Sequence, residues 1–233
     1  MDDRRAEIAR GLAETRTRIQ AACTRAGRPA DDVTLVVVTK TFPASDVRHL
    51  HALGVRDVGE NRHPEAGDKA AACADLDLRW HFIGQLQTNK AKAVAGYAAV
   101  VHSVDRPRLA RALAEAADPA RPLDVLVQVS LDPPEQAAGR GGVPVDGVVD
   151  LARVVAQAPA LRLRGVMAVA PPEDDPDAAF ARLADVGAAV EERWPDATWV
   201  SAGMSGDLEA AIRHGATHVR VGSAILGTRT PQR

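Results

Sequence analysis

VTLVVVTK, residues 33–40, is a continuous apolar run that ends in a lysine. Its β-branched residues stand on both faces of an extended chain, which is typical of a strand buried in a parallel sheet. The carboxyl ends of such strands are where α/β sheets and barrels place their chemistry. Lys40 therefore has two interpretations: a partly desolvated amine that can attack an aldehyde, or a lysine that has left the strand and entered water.

The rest of the chain repeats this strand in alternation with helices. After a helix over 2–26, we predict strands near 33–39, 55–59, 80–84, 98–102, 123–129, 163–169, 198–202 and 218–222. Helices are expected over 45–53, 64–74, from 88 onward, 106–117, 145–157, 176–193 and 207–214. Such alternation gives a parallel sheet, and eight units predict an α/β fold, a single (β/α)8 TIM barrel with an extra N-terminal helix. The alternative is an open doubly wound sheet.

The chain is expected to form one domain over residues 1–233, because no Pro/Ser-rich linker interrupts it. Residues 1–27 would be a helix packed on the barrel. The segment 131–142 is rich in Pro and Gly, and we expect it to be a mobile flap over the barrel mouth. Hydrophobic residues make up 46% of the chain but aromatic residues only 3%, so the core should be built from Ala, Val and Leu.

Composition excludes several classes of function. The net charge is −2 with no strongly basic stretch, so we expect no nucleic-acid binding by bulk electrostatics. The two cysteines lack the spacing of a metal site or a disulfide scaffold, which fits a reducing cytoplasm. No apolar run reaches the length of a membrane span, so we expect a cytoplasmic protein that makes no contact with a membrane.

Polar residues and glycines follow the predicted strands, where a barrel would gather them at one face. With three apolar neighbours, Met167, Ala168 and Met204, the residues at the strand ends are Lys40, Glu60, Asn61, Gly84, Gln85, His102, Ser103, Ser130, Ser201, Gly203, Ser205, Arg220, Gly222 and Ser223. Backbone N–H groups in the last two loops, 203–206 and 222–223, suit phosphate binding, although glycines also serve tight turns. Arg220 alternates with apolar residues, so it would meet a ligand in the mouth or form a salt bridge to a carboxylate such as Glu60.

The histidines and hydroxyls do not match other catalytic patterns. His81, His102, His214 and His218 lie near strands without metal-ligand spacing, so no metal site is predicted. His81 stands between Trp80 and Phe82 and is expected to be a satisfied core residue. Ser205 lacks the GxSxG context of an acyl-transfer hydrolase.

Several stretches together resemble one family. They are TKTFP at 39–43, GEN at 59–61, WHFIGQLQTNK at 80–90, HSVD at 102–105, LRGVMA at 163–168, GMSGDLEAAI at 203–212 and VRVGSAILG at 219–227. By these motifs the chain is similar, over nearly its whole length, to the pyridoxal phosphate homeostasis proteins (the YggS/PROSC group). Those proteins resemble the barrel domain of bacterial alanine racemase. The chain departs from the family pattern at His63-Pro64, Ala202 and Leu226.

The resemblance implies pyridoxal 5′-phosphate (PLP) as the cofactor, with Lys40 as its Schiff-base lysine. Ser205 and the backbone at Gly222 and Ser223 would hold the phosphate, and Arg220 would face the pyridine nitrogen. The residues that would border the ring are Asn61, Ser201 and Met204.

The resemblance also bears on whether the bound cofactor turns over a substrate. An arginine beside the pyridine nitrogen keeps that nitrogen unprotonated and makes the ring a weaker electron sink. The related racemases use a tyrosine from a second domain, whereas Tyr97 is predicted at the opposite end of the barrel. The resemblance thus implies a PLP carrier without catalytic residues, whose candidate partners are apo-enzymes that use PLP. The alternatives are a PLP-dependent racemase or decarboxylase of the alanine racemase barrel type and an aldolase-type enzyme that uses Lys40. A monomer is expected because the sequence shows no large exposed apolar stripe.

Overall fold

The computed structural model describes residues 3–132 and 140–227, so most of the predicted flap, 133–139, lies outside the described residues. Eight strands run through the described chain. They are β1 (Thr34–Val38), β2 (Asp57–Glu60), β3 (Arg79–Phe82), β4 (Val100–Val104), β5 (Leu123–Gln128), β6 (Leu161–Met167), β7 (Trp199–Ser201) and β8 (His218–Val221). Each predicted strand is present, although β4 lies two residues further along the chain than expected.

The strands form a closed barrel in sequence order, β1 to β8, and every neighbouring pair is parallel. β1 closes the barrel by pairing with both β2 and β8. Val37 stands opposite Val58 on one side and Val221 on the other. The predicted (β/α)8 barrel is therefore confirmed, and the open doubly wound alternative is wrong because such a sheet would leave two unpaired edges.

Helices connect the strands along the outside of the barrel. They are α1 (Asp3–Arg25), α2 (Ala44–Ala52), α3 (Glu65–Ala72), α4 (Ala91–Ala95), α5 (Pro107–Ala116), α6 (Val148–Ala156), α7 (Pro176–Glu191), α8 (Leu208–Arg213) and α9 (Ser223–Leu226). The N-terminal helix α1 packs against α2, α8 and α9. Within the described residues, none of these helices is both long and apolar enough to cross a bilayer.

Side chains alternate between two environments along each strand. Those that point outward join two apolar clusters with the helices, which Val37, Val58 and Val219 illustrate on one side of the barrel. Those that point inward include a small separate cluster of Val100, Leu126 and Met167. The inward faces also carry buried polar residues, among them His81, His102, Ser201, His218 and Arg220.

Candidate functional site

Lys40 follows β1 directly and is half-buried. Val37 points outward to the helices, so the alternation along β1 places Lys40 on the inward side, at the barrel mouth. Thr41, the next residue, has a positive φ of 69°, and its N–H donates to Glu65 Oε1 at 3.0 Å. Lys40 therefore lies at the carboxyl end of a buried strand, with a side chain that is partly covered.

A buried ion pair supports the strand end that carries Lys40. Lys69 on α3, only 7% exposed, donates to Glu60 Oε1 at 2.5 Å and to the Thr39 carbonyl at 2.8 Å. The Thr39 hydroxyl donates to the same carboxylate oxygen at 2.6 Å. Burial raises the pKa of Glu60, while its bonds to Lys69 and Thr39 act in the opposite direction. The sequence did not single out Lys69, because a lysine in an alanine-rich helix is usually a solvated charge.

Arg220 on β8 is 4% exposed and lies inside the barrel. Its guanidinium donates to Ser201 Oγ at 2.7 Å and to the Ala168 carbonyl at 2.9 Å. Neither acceptor is charged, and no carboxylate forms a salt bridge with it among the described residues. Burial lowers the pKa of Arg220 to about 10, so it stays a cation at neutral pH. The alternative of a salt bridge to Glu60 is wrong, because the guanidinium bonds Ser201 and Ala168, and Glu60 pairs with Lys69 instead.

The loops after β7 and β8 meet at the mouth. Ser205 Oγ and Ser223 Oγ are 3.3 Å apart and share a hydrogen bond. Gly222 forms the turn between β8 and α9, beside the carbonyl of Val38. Met204 is 40% exposed, which is high for a large apolar side chain. Two hydroxyls and a glycine turn thus lie together where an anion can approach the backbone.

Asn61 follows β2 and is half-buried. Gly84 packs closely against the backbone of Asn61, because a Cβ built on Gly84 would stand only 2.1 Å from the Asn61 carbonyl oxygen. Any other residue at position 84 would displace Asn61, which explains the glycine of the WHFIG motif. Asn61 also borders a cavity of about 410 Å³ whose lining includes Arg62, Lys90 and Arg106.

The eight predicted site residues occupy one continuous arc of the barrel. In the order of the strands that carry them, they are Ser201, Met204 and Ser205 (β7), Arg220, Gly222 and Ser223 (β8), Lys40 (β1) and Asn61 (β2). β7, β8, β1 and β2 are consecutive neighbours in the closed sheet. The direct contacts within the set are the hydrogen bonds of Arg220 to Ser201 and of Ser223 to Ser205. A lysine, a buried cation and a pair of hydroxyls therefore lie on neighbouring strands or on the loops that follow them.

Other polar and histidine side chains lie outside this arc. Within residues 3–132 and 140–227, no cluster of three or more metal-ligating side chains is found. His81 is buried and fully hydrogen-bonded, as the sequence predicted. Tyr97 precedes β4 at the amino end of the barrel, and its buried hydroxyl has no hydrogen-bond partner among the described residues. Burial raises the pKa of Tyr97, which makes it a poor proton donor near neutral pH.

Comparison with known proteins places this barrel among relatives. The family described as alanine racemase, N-terminal domain, matches residues 12–230. A pyridoxal phosphate homeostasis protein of Mycobacterium bovis is 42% identical, over 97% of this chain and 95% of its own. One from Escherichia coli K12 is 40% identical, over 96% and 97%. The structure of PipY from Synechococcus elongatus PCC7942 with PLP bound superposes with a TM-score of 0.79 at 33% identity, covering 94% of this chain and 100% of that one.

Proposed function

This chain belongs to the pyridoxal phosphate homeostasis protein family, and on that premise we propose that it binds PLP across the barrel mouth and holds it for cellular PLP homeostasis. The observation that carries the proposal is the arc of eight residues on β7, β8, β1 and β2. PLP offers an aldehyde, a pyridine nitrogen and a phosphate. The arc offers an amine, a buried cation and a pair of hydroxyls beside a glycine turn.

Each candidate residue has a role in this proposal. Lys40 would hold the aldehyde through a Schiff base of its Nζ, formed with loss of one water. Ser205, Ser223 and the backbone at Gly222 bind the phosphate, and Arg220 faces the ring nitrogen. The residues that border the ring are Asn61, Ser201 and Met204.

Arg220 also supports the proposal that the protein is a carrier without turnover. Its guanidinium is a buried cation with neutral partners, so it disfavours a second positive charge on a neighbouring nitrogen. An unprotonated pyridine withdraws electrons weakly. Tyr97, the only tyrosine of the chain, stacks on His63 with its hydroxyl buried, and burial raises its pKa, which disfavours it as a second proton donor. We therefore propose no catalytic residue.

The proposal extends to the setting in which the protein works. Cys23 and Cys73 are both buried and unpaired, as in proteins of a reducing cytoplasm, which we propose as its location. The half-buried Lys40 at an open mouth allows an incoming amine to reach the covalent bond. We therefore propose that apo-enzymes that use PLP are its partners. We also propose that the protein acts as a monomer.

A titration with PLP tests the proposal. We expect the wild-type protein to develop the visible absorption band of a PLP–lysine adduct, and Lys40→Ala to lose it. Lys92→Ala is the matched control, because Lys92 is exposed on α4, outside the arc, and its band should match the wild type. Absence of a band in the wild type, or an equal band in Lys40→Ala, would overturn the proposed site.

A second measurement separates a carrier from a racemase. The protein loaded with PLP is incubated with amino acids in deuterated water, and incorporation of deuterium at the α-carbon is followed by mass spectrometry. We expect no incorporation above that of free PLP. Incorporation at the rate of an enzyme, lost in Lys40→Ala, would contradict the carrier function and support the racemase.

A further inference from the structure

Five polar side chains form a continuous hydrogen-bond chain through the inside of the barrel. Asp57 Oδ1 lies 2.9 Å from His81 Nε2, and His81 Nδ1 lies 2.8 Å from His102 Nε2. His102 Nδ1 lies 2.9 Å from Ser201 Oγ, which lies 2.7 Å from the guanidinium of Arg220. The chain starts at the first residue of β2 and ends at Arg220, so it spans the barrel from the amino end towards the mouth.

The direction of every bond in this chain follows from the chemistry of its two ends. Arg220 can only donate, and an ionised Asp57 can only accept. Burial opposes the charge of Asp57, but its hydrogen bond to His81 and nearby positive charges outweigh burial, and the net effect lowers its pKa. Burial also lowers the pKa of His81 and of His102, so both rings are neutral and each carries one proton.

One arrangement of protons then satisfies all four bonds. His81 Nε2–H donates to Asp57, which leaves His81 Nδ1 as the acceptor for His102 Nε2–H. His102 Nδ1 is then the acceptor for the Ser201 hydroxyl. With its proton committed to His102, Ser201 Oγ presents lone pairs to Arg220 and receives one N–H of its guanidinium.

This chain occupies space that barrels usually fill with bulky aliphatic side chains. Burying polar groups is unfavourable unless each is satisfied, and a satisfied network holds one unique arrangement. The guanidinium of Arg220 has five N–H donors. Ser201 and the Ala168 carbonyl take one each from its two terminal nitrogens, which fixes the plane of the group and leaves its other donors for a ligand.

We propose that Asp57, His81, His102 and Ser201 are positioning residues that hold Arg220 in one orientation, with its free donors directed at a ring-nitrogen or oxygen acceptor of the ligand at the mouth. The identity of that ligand as PLP rests on the proposed function. Asp57 stands at the opposite end of the barrel from Lys40, so it acts on the ligand only through the chain. Ser201, which we propose to border the ring, also acts on Arg220 through their hydrogen bond.

Nitrogen-15 NMR of the ligand-free wild-type protein tests the arrangement without any cofactor. We expect the His81 and His102 rings to be neutral, each with its proton on Nε2. We expect the terminal nitrogens of Arg220 to give separate resonances, because two fixed acceptors slow rotation of the guanidinium. A doubly protonated His102, or its proton on Nδ1, would overturn the proposal.

Variants then test whether the chain positions Arg220. In His102→Phe we expect the Arg220 resonances to merge, because the guanidinium rotates more freely. We also expect the dissociation constant for PLP to rise roughly tenfold, which is the effect of losing one hydrogen bond of a charged donor. Asp57→Ala should act in the same direction, whereas Asp57→Asn keeps an acceptor oxygen for His81 Nε2–H and should restore wild-type behaviour.

His218→Phe is the matched control. His218 is buried beside the same rings, 6.4 Å from the His102 ring centroid, but its ring bonds to the hydroxyl of Thr217 and not to the chain. It should lower stability without changing the Arg220 resonances or the affinity for PLP. Equal effects in His102→Phe and His218→Phe would contradict positioning. If the wild type bound no PLP, the proposed function would fail, while the Arg220 resonances would still decide the role of the chain.

Discussion

Lys69 and Glu60 are two charges that the fold buries together directly beside the strand end of Lys40. Lys69 Nζ donates to Glu60 Oε1 and to the Thr39 carbonyl. The second carboxylate oxygen, Glu60 Oε2, has no hydrogen-bond partner among the described residues. Removing one partner of a buried ion pair leaves the other charge uncompensated, which is far more destabilising than removing both. The pair therefore stabilises the end of β1 only as a unit.

Lys69→Met should lower the free energy of unfolding by about 3–5 kcal/mol, because Glu60 stays buried without its cation. The double variant Lys69→Met/Glu60→Met should recover most of that loss. Urea unfolding of the three proteins measures both effects. A single variant as stable as the wild type would show that the pair contributes nothing.

Three buried histidines inside the barrel also make the stability of the protein depend on pH. Burial is the largest cause that lowers the pKa of His81, His102 and His218. It lowers the pKa of His218 to about 3. The positive charge of Arg79 acts in the same direction on all three rings. The unfolded chain protonates these histidines near pH 6.5, while the folded chain does not. The unfolded state therefore binds more protons below that pH, and stability falls as the pH drops.

Between pH 6.5 and 5 the free energy of unfolding should fall as the pH drops, with a slope of at most three protons, about 4 kcal/mol per pH unit. His218→Phe should reduce the slope by about one proton. Urea titrations at several pH values give the slope directly. A stability that stays constant over this range would mean that the three rings are protonated in the folded protein.

Among the helices, α1 contacts both loops proposed to bind phosphate. Arg18 donates to the Ser205 carbonyl at 3.0 Å and pairs with Glu209 of α8 at 2.8 Å. Gly11 lets α1 approach α9, since a Cβ at this position would stand 2.7 Å from the Ala224 carbonyl oxygen. Arg4 donates to the Leu226 carbonyl at 3.0 Å. The N-terminal helix thus supports the mouth from the outside.

Gly11→Ala should therefore destabilise the protein by about 1–3 kcal/mol and weaken PLP binding, because its methyl group would push α1 away from α9. At an exposed helix position the same change would stabilise the helix by about 0.5–1 kcal/mol. Ala13→Ser, on the exposed side of α1, is the control and should change neither quantity. Thermal unfolding and PLP titration of both variants check this. A Gly11→Ala protein more stable than the wild type would exclude the close contact.

Most elements could be predicted from the sequence, because runs such as 33–39 and 123–129 are long, apolar and β-branched. Boundaries were less predictable. β4 begins at Val100 and not at Ala98, since the loop after Tyr97 continues two residues further. The short α9 has only four residues, too few for a helical period, and was not predicted.

At the scale of the whole molecule, closure of the barrel creates the site. β8 lies beside β1 only because the sheet closes, so residues about 180 positions apart become neighbours at the mouth. The placement of the eight candidate residues at neighbouring strand ends could be predicted from the sequence, and their roles stay predictions. The chain from Asp57 to Arg220 could not, because His102 on β4 meets Ser201 on β7 across the barrel, and no local pattern encodes that contact.

The monomer that we propose can be tested at the scale of the whole molecule. Val145 and Met204 are the only large hydrophobic side chains classed as exposed among the described residues, and Met204 belongs to the mouth. A stable interface needs a larger contiguous apolar area. Light scattering at micromolar concentration should give the mass of one chain, with and without PLP. A mass of two chains would contradict the monomer.

Reductive trapping tests the central claim most directly. The protein is loaded with PLP, reduced with borohydride, digested and mapped by mass spectrometry. The chain has four lysines, Lys40, Lys69, Lys90 and Lys92, so the assignment is unambiguous. We predict a stoichiometric phosphopyridoxyl group on Lys40 alone. A group on another lysine, or none at all, would contradict a site built around the amine at the end of β1.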